Sequence, residues 1–294
     1  MTGDLFGLAS AFCWALVSVL LRALQSRTDA LSLNAFRSLV ATVLALGVVL
    51  ATGRFGAMDD VPLPAIGYLV ASVLVGMGIG DTIYFYSLRL VGIARGLLLS
   101  NAYPIYAAIM AAALLGERVT PGLVAGTLLV VLGVGLVLIP SRALLAKPGA
   151  GSRKNERLGV VLALLAGLFW ACATVLVKVG VQGVDGLVAA TIRLIAATAA
   201  LTLASSFSRP GLQLREYRGN QLLGTVAAGI AGLLSSITFL LAVQHIGAAR
   251  TATLTSTAPL FGAPMSLLMG EKMTWQTALG CLISMAGIWL VLAT

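Results

Sequence analysis

The sequence predicts an all-α integral membrane protein: ten transmembrane helices, arranged as two inverted five-helix repeats. Three observations carry that expectation. First, 59% of the 294 residues are apolar and only 10% are charged, whereas a soluble domain carries about 25% charged residues. Second, apolar runs of about 20 residues, enough to cross the hydrocarbon core of a bilayer, recur ten times along the chain. Third, the two halves echo each other at a nearly constant offset. A soluble globule and a disordered chain are both excluded by the first observation. Cys13, Cys172 and Cys281 all sit inside apolar runs, so no disulfide framework is implied.

The expected spans cover 5–21, 31–51, 64–88, 92–115, 121–139, 158–178, 187–205, 219–243, 247–269 and 274–293. Their breaks are chemical. The polar run Gln25-Ser26-Arg27-Thr28-Asp29 closes the first span, and Gly53-Arg54, Asp59-Asp60 and Pro62 close the second. Gly92 alone separates the third and fourth. Thr120-Pro121 offers an N-cap followed by proline at the first helical position. Residues 140–157, with Pro140, Arg142, Lys147, Pro148, Arg153, Lys154 and Arg157, form a basic linker between repeats at 1–139 and 158–294. Met1-Thr2-Gly3-Asp4 holds an acid and no Lys or Arg, while Arg22 follows the apolar run. That is the reverse of a secretory signal, so the first span is expected to be retained.

Trp14 matches Trp170, and Arg37 matches Arg193, at an offset of 156. Gly92-Ile93-Ala94-Arg95 matches Gly247-Ala248-Ala249-Arg250, and Pro104 matches Pro259, at 155. Gly116-Glu117 matches Gly270-Glu271, and Gly126 matches Gly280, at 154. Each repeat holds five spans, an odd number, so the second enters the membrane from the opposite side. Inverted repeats of this kind place a substrate site near the midplane at the repeat interface.

The Trp14 region, Arg37, and the Gly116-Glu117 and Gly270-Glu271 turns resemble the EamA-type branch of the drug/metabolite transporter superfamily over about residues 5–293. That resemblance implies ten helices around a central cavity and export of amino acids or other small metabolites; bacterial aromatic amino-acid exporters are the best likeness.

With ten spans both termini share one side. The opposite side carries Arg22, Arg27, Arg89, Arg95, Arg142, Lys147, Arg153, Lys154, Arg157, Arg209, Arg215, Arg218 and Lys272, whereas the terminal side carries only Arg54, Arg118, Lys178 and Arg250. Positive loops stay cytoplasmic, so the termini are expected outside the inner (plasma) membrane.

Arg37 and Arg193 lie about 9 Å into their helices at 1.5 Å per residue. A charge at that depth either snorkels to the near interface or acts as a gate or rim group. Trp275 and Trp289 sit at the two ends of the last span as interfacial anchors. Trp14 and Trp170 are mid-span, where an indole N–H needs a partner: either tight helix packing or a substrate site. In the third span, Gly76-Met77-Gly78-Ile79-Gly80-Asp81 puts glycines beside an acid, and Tyr84 and Tyr86 follow. The fourth holds Ser100-Asn101-Ala102-Tyr103-Pro104, and the ninth holds Thr253, Thr255, Ser256 and Thr257 before Pro259. Mid-span proline is tolerated beside a wet cavity or helping neighbours, so the two prolines either flank the substrate site or kink helices for packing. The candidate substrate residues are therefore Trp14, Asp81, Tyr84, Ser100, Asn101, Tyr103, Trp170, Thr255 and Ser256. The candidate gate and hinge residues are Gly78, Gly80, Pro104, Pro259, Arg37 and Arg193. In continuous helices Asp81 shares a face with Tyr84, and Ser100 with Tyr103.

Glu117 and Glu271 precede turns and the caps Thr120 and Thr274, near helix N-termini where negative charge is favoured. Gly126–Gly133 and Gly280–Gly287 suggest close helix contacts, internal or across a dimer. One histidine, His245, and no Gly-rich Lys-Ser/Thr loop leave no metal, cofactor or ATP site to expect, and an intramembrane enzyme lacks convergent acid and base groups. The expected partners are a small-molecule substrate and the lipid bilayer, with no nucleic acid; a monomer is one open state. The expected function is a secondary transporter exporting amino acids, hydrophobic or aromatic ones favoured. The alternative is a proton-coupled drug or lipid-headgroup exporter that uses Asp81. Residues 5–21 and 158–177 hold no carboxylate or histidine, so transport without proton coupling is the expectation.

Overall fold

The computed structural model describes residues 1–24, 30–91, 93–138, 153–207, 217–267 and 274–294. Among the described residues the regular structure is helical and no strand occurs. The helices are α1 (Thr2–Leu24), α2 (Ala30–Ala51), α3 (Gly56–Asp59), α4 (Leu63–Val73), α5 (Asp81–Val91), α6 (Ile93–Ser100), α7 (Tyr103–Leu115), α8 (Pro121–Leu138), α9 (Arg153–Gly180), α10 (Gly186–Phe207), α11 (Asn220–Thr255), α12 (Ala258–Leu267) and α13 (Trp275–Leu292). A π-helical segment, Leu74–Gly80, joins α4 to α5. Nine stretches among the described residues are long and apolar enough to span a bilayer. The chain is a multi-pass membrane protein.

Several expected boundaries differ from those found, and each difference has a local cause. Residues 153–157 of the expected linker already belong to α9. The rest of the linker, Gly92 and Glu271 lie outside the described residues. Asp4, expected ahead of the first span, occupies the first turn of α1 and is buried; a carboxylate is favoured at that end of the helix dipole. The third span is not a uniform α-helix, because the glycine run Gly76–Gly80 sits in the π-helical segment. The expected eighth and ninth spans run on as α11, broken at Gly247 (φ 81, ψ 174).

The fourth and ninth spans are each interrupted, at matching places. α6 ends at Ser100 and α7 restarts at Tyr103, while α11 ends at Thr255 and α12 restarts at Ala258. Across the first break, backbone N–H groups bond 101→97, 102→99 and 105→102; across the second they bond 256→252, 257→254 and 260→257. Every bond shifts by the same 155 residues. Pro104 and Pro259 supply the reason. Each sits one position after its helix restarts, where its missing N–H is tolerated, and neither can bond the carbonyl four residues back.

The helices group into two compact units. The first comprises Met1, Val75–Val175 and Ile246–Thr294; the second comprises Thr2–Leu74 and Leu176–His245. In the first unit, α8 and α13 pack at backbone contact. A Cβ on Gly126 would stand 2.8 Å from the Gly287 carbonyl, and one on Gly133 would stand 2.5 Å from the Gly280 carbonyl. The contacts reciprocate from Gly287 to Gly126 and from Gly280 to Gly133, and the register runs antiparallel. The two glycine spacings therefore serve internal packing, because small residues let the backbones approach.

In the second unit the core is Leu69 with Val177, Val181, Val188, Leu240 and Val243. The Thr42 and Thr198 hydroxyls, 156 residues apart in the chain, meet at 2.8 Å between α2 and α10. A groove of about 490 Å³ beside them is lined by Thr42, Thr198, Thr202 and Ser206 among others. None of the predicted site residues lines it.

Candidate functional site

In the first unit, the glycine run delivers Asp81 to the start of α5, directly against α9. Trp170 Nε1 donates a hydrogen bond of 2.8 Å to Asp81 Oδ1. The indole reaches that close because Gly80 carries no side chain: a Cβ there would stand 3.0 Å from Trp170 Cδ1 and 3.1 Å from Nε1. Two tyrosines complete the surroundings. The Tyr84 ring lies 5.2 Å from the Trp170 ring at a 55° tilt, and the Tyr103 ring meets it edge-on at 6.4 Å and 88°. Tyr103 is itself anchored: its hydroxyl donates to the Ala252 carbonyl and lies 2.9 Å from Thr255 Oγ1. Both partners lie in the last turn of α11.

Among the described residues Asp81 makes no ion pair: its carboxylate has one indole donor and no cation there, beside aromatic rings whose faces carry negative potential. Such an arrangement attracts a cation of modest size, through the carboxylate charge and cation–π contacts together.

The remaining candidates fall out as follows. Asp81 and Tyr84 share a face as expected, and Tyr86 points elsewhere, half exposed. Ser100 and Tyr103 do not share a helix, because the break at Asn101-Ala102 separates them. Ser100 Oγ and Ser256 Oγ donate to carbonyls three residues back, at Leu97 of α6 and Thr253 of α11. Gly167 of α9 packs against the Ser100 carbonyl, 2.8 Å from where its Cβ would be. Asn101 is 9% exposed, and its Nδ2 is buried without a partner. A buried amide left in that state costs about 1–3 kcal/mol, a state that a ligand acceptor would relieve.

Trp14, Arg37 and Arg193 belong to the second unit. Arg37 is 5% exposed. Its Nε and one terminal nitrogen, Nη2, donate to Asn34 Oδ1 at 3.2 and 2.7 Å, and its Cζ stands 5.9 Å from the Trp14 ring centroid. Arg193 donates through Nε to Ser72 Oγ at 3.1 Å and stands 5.6 Å from the Phe239 ring. Neither arginine pairs with a carboxylate among the described residues. A snorkelling side chain would carry its head out to the interface; the Arg37 head is enclosed by protein.

Glu117 does meet a helix N-terminus, but not that of α8. Thr120 Oγ1 caps α8 by accepting from Leu123 N at 3.1 Å. Glu117 instead accepts from Ala248 N at 2.7 Å and Ala249 N at 3.1 Å, where α11 resumes after Gly247. Sequence spacing gave no sign of this contact, which joins residues 131 apart. Asn34, by contrast, was readable, since it stands three residues before Arg37 on one helix face.

With that geometry in place, comparison with known proteins is decisive at the family level. The model of the EamA-like transporter family matches residues 1–139 and 157–293. The chain belongs to that family. An uncharacterized transporter of Archaeoglobus fulgidus (strain ATCC 49558 / DSM 4304 / JCM 9628 / NBRC 100126 / VC-16) is 25% identical over 289 residues, which cover 98% of this chain and 97% of that one. A solved crystal structure, 19% identical, superposes with a TM-score of 0.80 over 98% of this chain and 95% of its own; it shares the fold. Membership of the EamA-like family points to a membrane transporter rather than an enzyme.

Proposed function

We propose that the protein is a secondary transporter that exports amino acids or similar small metabolites carrying an ammonium group, hydrophobic and aromatic ones favoured. The observation that carries this reading is the Asp81 carboxylate, held by Trp170 without a cationic partner among the described residues, with the rings of Tyr84 and Tyr103 against that indole. In this reading the ammonium group meets Asp81, and Asn101 supplies an amide donor at a helix break. Discontinuous helices of this sort build transporter substrate sites. Ser100 and Thr255 belong to the proposed site through α6 and α11, Ser256 through the break that follows α11, and Gly78, Gly80, Pro104 and Pro259 to its hinges.

The wider architecture is proposed as ten spans in two inverted repeats, 1–139 and 158–294, around a central cavity in the inner membrane. The matched breaks, the reciprocal α8–α13 contacts and the Thr42–Thr198 pair support it. So do the loop contacts. Gln221 bonds the Leu24 carbonyl at one end of the second unit; Arg54 pairs with Asp185, and Lys178 bonds the Val243 carbonyl, at what ten crossings make the other end. Positive loops stay cytoplasmic, so the first of those ends is proposed to face the cytoplasm, and a cytoplasm-only reporter fused to the C-terminus should be silent.

Transport is proposed to run down the substrate gradient without proton coupling. The second reading, proton exchange for a cationic drug or lipid headgroup, draws on the same unpaired Asp81, which either a proton or a cation could neutralise. Uptake of labelled aromatic and aliphatic amino acids into vesicles tests the first reading. Flux above that of empty vesicles supports it, and no difference across the panel contradicts it.

A further inference from the structure

The Arg37 cluster in the second unit is the strongest feature that the proposed function leaves unused. A guanidinium carries five N–H donors in a rigid fork. Asn34 Oδ1 occupies the Nε–Nη2 edge and so fixes the side chain in one orientation. The end-on edge between the two terminal nitrogens keeps its donors and meets no acceptor among the described residues. Nη1 lies over Gly232, where a Cβ would stand 2.5 Å away, so the glycine makes room for the head of the side chain. Trp14 flanks it at 5.9 Å and is itself 50% exposed, so the aromatic wall of the cluster is open even though the guanidinium is enclosed.

A charge 5% exposed that meets no carboxylate among the described residues is unfavourable unless an anion completes it. The shape of the vacant edge selects among anions, because a planar fork pairs with a carboxylate through two parallel bonds. Arg193, its counterpart in the second repeat, lacks the amide clamp and donates through Nε to a serine hydroxyl alone. We infer that Arg37, clamped by Asn34 beside Trp14, is a binding site for a small organic carboxylate, received end-on by its two terminal nitrogens. The inference does not depend on the reading of Asp81, because the two clusters recognise opposite charges.

The test uses the full chain purified in detergent, with phenylacetate and phenylacetamide as probes and phenethylamine as the ammonium-only control. Thermal stabilisation and the tryptophan emission spectrum are read together. Phenylacetate should bind about tenfold or more tightly than phenylacetamide, as expected for a charge-assisted, bidentate contact. Arg37→Gln should lose the difference; Arg37→Lys, which keeps the charge and loses the fork, should retain only part of it. Equal binding of the acid and the amide to the wild-type protein would overturn the inference, whether or not the variants fold. So would an unchanged acid preference in Arg37→Gln. Phenethylamine reports on Asp81 separately, so failure at either centre is told apart from failure at the other.

Discussion

Trp170 Nε1 donates to Asp81 Oδ1 at 2.8 Å, and this bond ties α9 to the first residue of α5. The indole satisfies one oxygen of a membrane-span carboxylate and leaves its charge uncancelled. The two roles can be separated chemically. Asp81→Asn keeps an acceptor for the indole and removes the charge, whereas Trp170→Phe keeps a ring and removes the donor. Asp81→Asn should therefore fold and lose ammonium-bearing substrates. Trp170→Phe should weaken them by roughly 10- to 100-fold, the worth of a hydrogen bond to a charged group at about 1.5–3 kcal/mol. Binding of both variants, measured by thermal shift, checks this.

Gly247 is predicted to be irreplaceable. Its backbone (φ 81, ψ 174) lies in a region that only glycine enters freely, and a Cβ would stand 2.7 Å from both Glu117 carboxylate oxygens. Gly247→Ala should destabilise by about 1–3 kcal/mol from backbone strain alone. Glu117→Ala should also lower the melting temperature, since it strips the N–H groups of Ala248 and Ala249 of their acceptor. Glu117→Gln, which still offers one carbonyl oxygen, should fall between. Thermal melts of the three variants in one detergent order them.

The α8–α13 seam should respond symmetrically. Gly133 and Gly280 each approach the other's carbonyl, with a Cβ distance of 2.5 Å in both directions. Gly133→Ala and Gly280→Ala should therefore lower the melting temperature by similar amounts. The double variant should be less damaging than the sum, because one separation of the helices accommodates both methyl groups. A strongly unequal pair of single variants would argue against the reciprocal contact.

An imposed pH difference across proteoliposomes should not drive substrate uphill. The prediction follows from the absence of carboxylate or histidine in 5–21 and 158–177. Concentrative uptake that collapses with a protonophore, and disappears in Asp81→Asn, would instead establish exchange of a proton for cargo at Asp81.

Much of this was readable in the chain, and the rest failed for definite reasons. The scarcity of charge fixed the membrane class, and the offsets of 154 to 156 paired Pro104 with Pro259 and Gly126 with Gly280. Trp170 was marked by its depth, because a mid-span indole needs an acceptor; Asp81 turned out to supply it. Helical-wheel reasoning failed at Ser100 and Tyr103, since it assumed a continuous helix where proline ends one and starts another. The glycine run before Asp81 was visible as weak helix, but its π-helical winding and its close approach to Ala173 and Trp170 are encoded in no local pattern. Glu117 was understood as a group for a helix N-terminus. Which N-terminus was hidden, because the partner lies 131 residues away and only the assembled fold brings it near.

The central claim is that Asp81 recognises the positive charge of the cargo, and substrate exchange in proteoliposomes tests it most directly. Vesicles loaded with unlabelled phenylalanine would be challenged with labelled phenylalanine outside, using wild-type protein, Asp81→Asn and Asp81→Glu. The account predicts rapid exchange by wild type, none above empty vesicles by Asp81→Asn, and partial recovery by Asp81→Glu. Exchange by Asp81→Asn at the wild-type rate would contradict it.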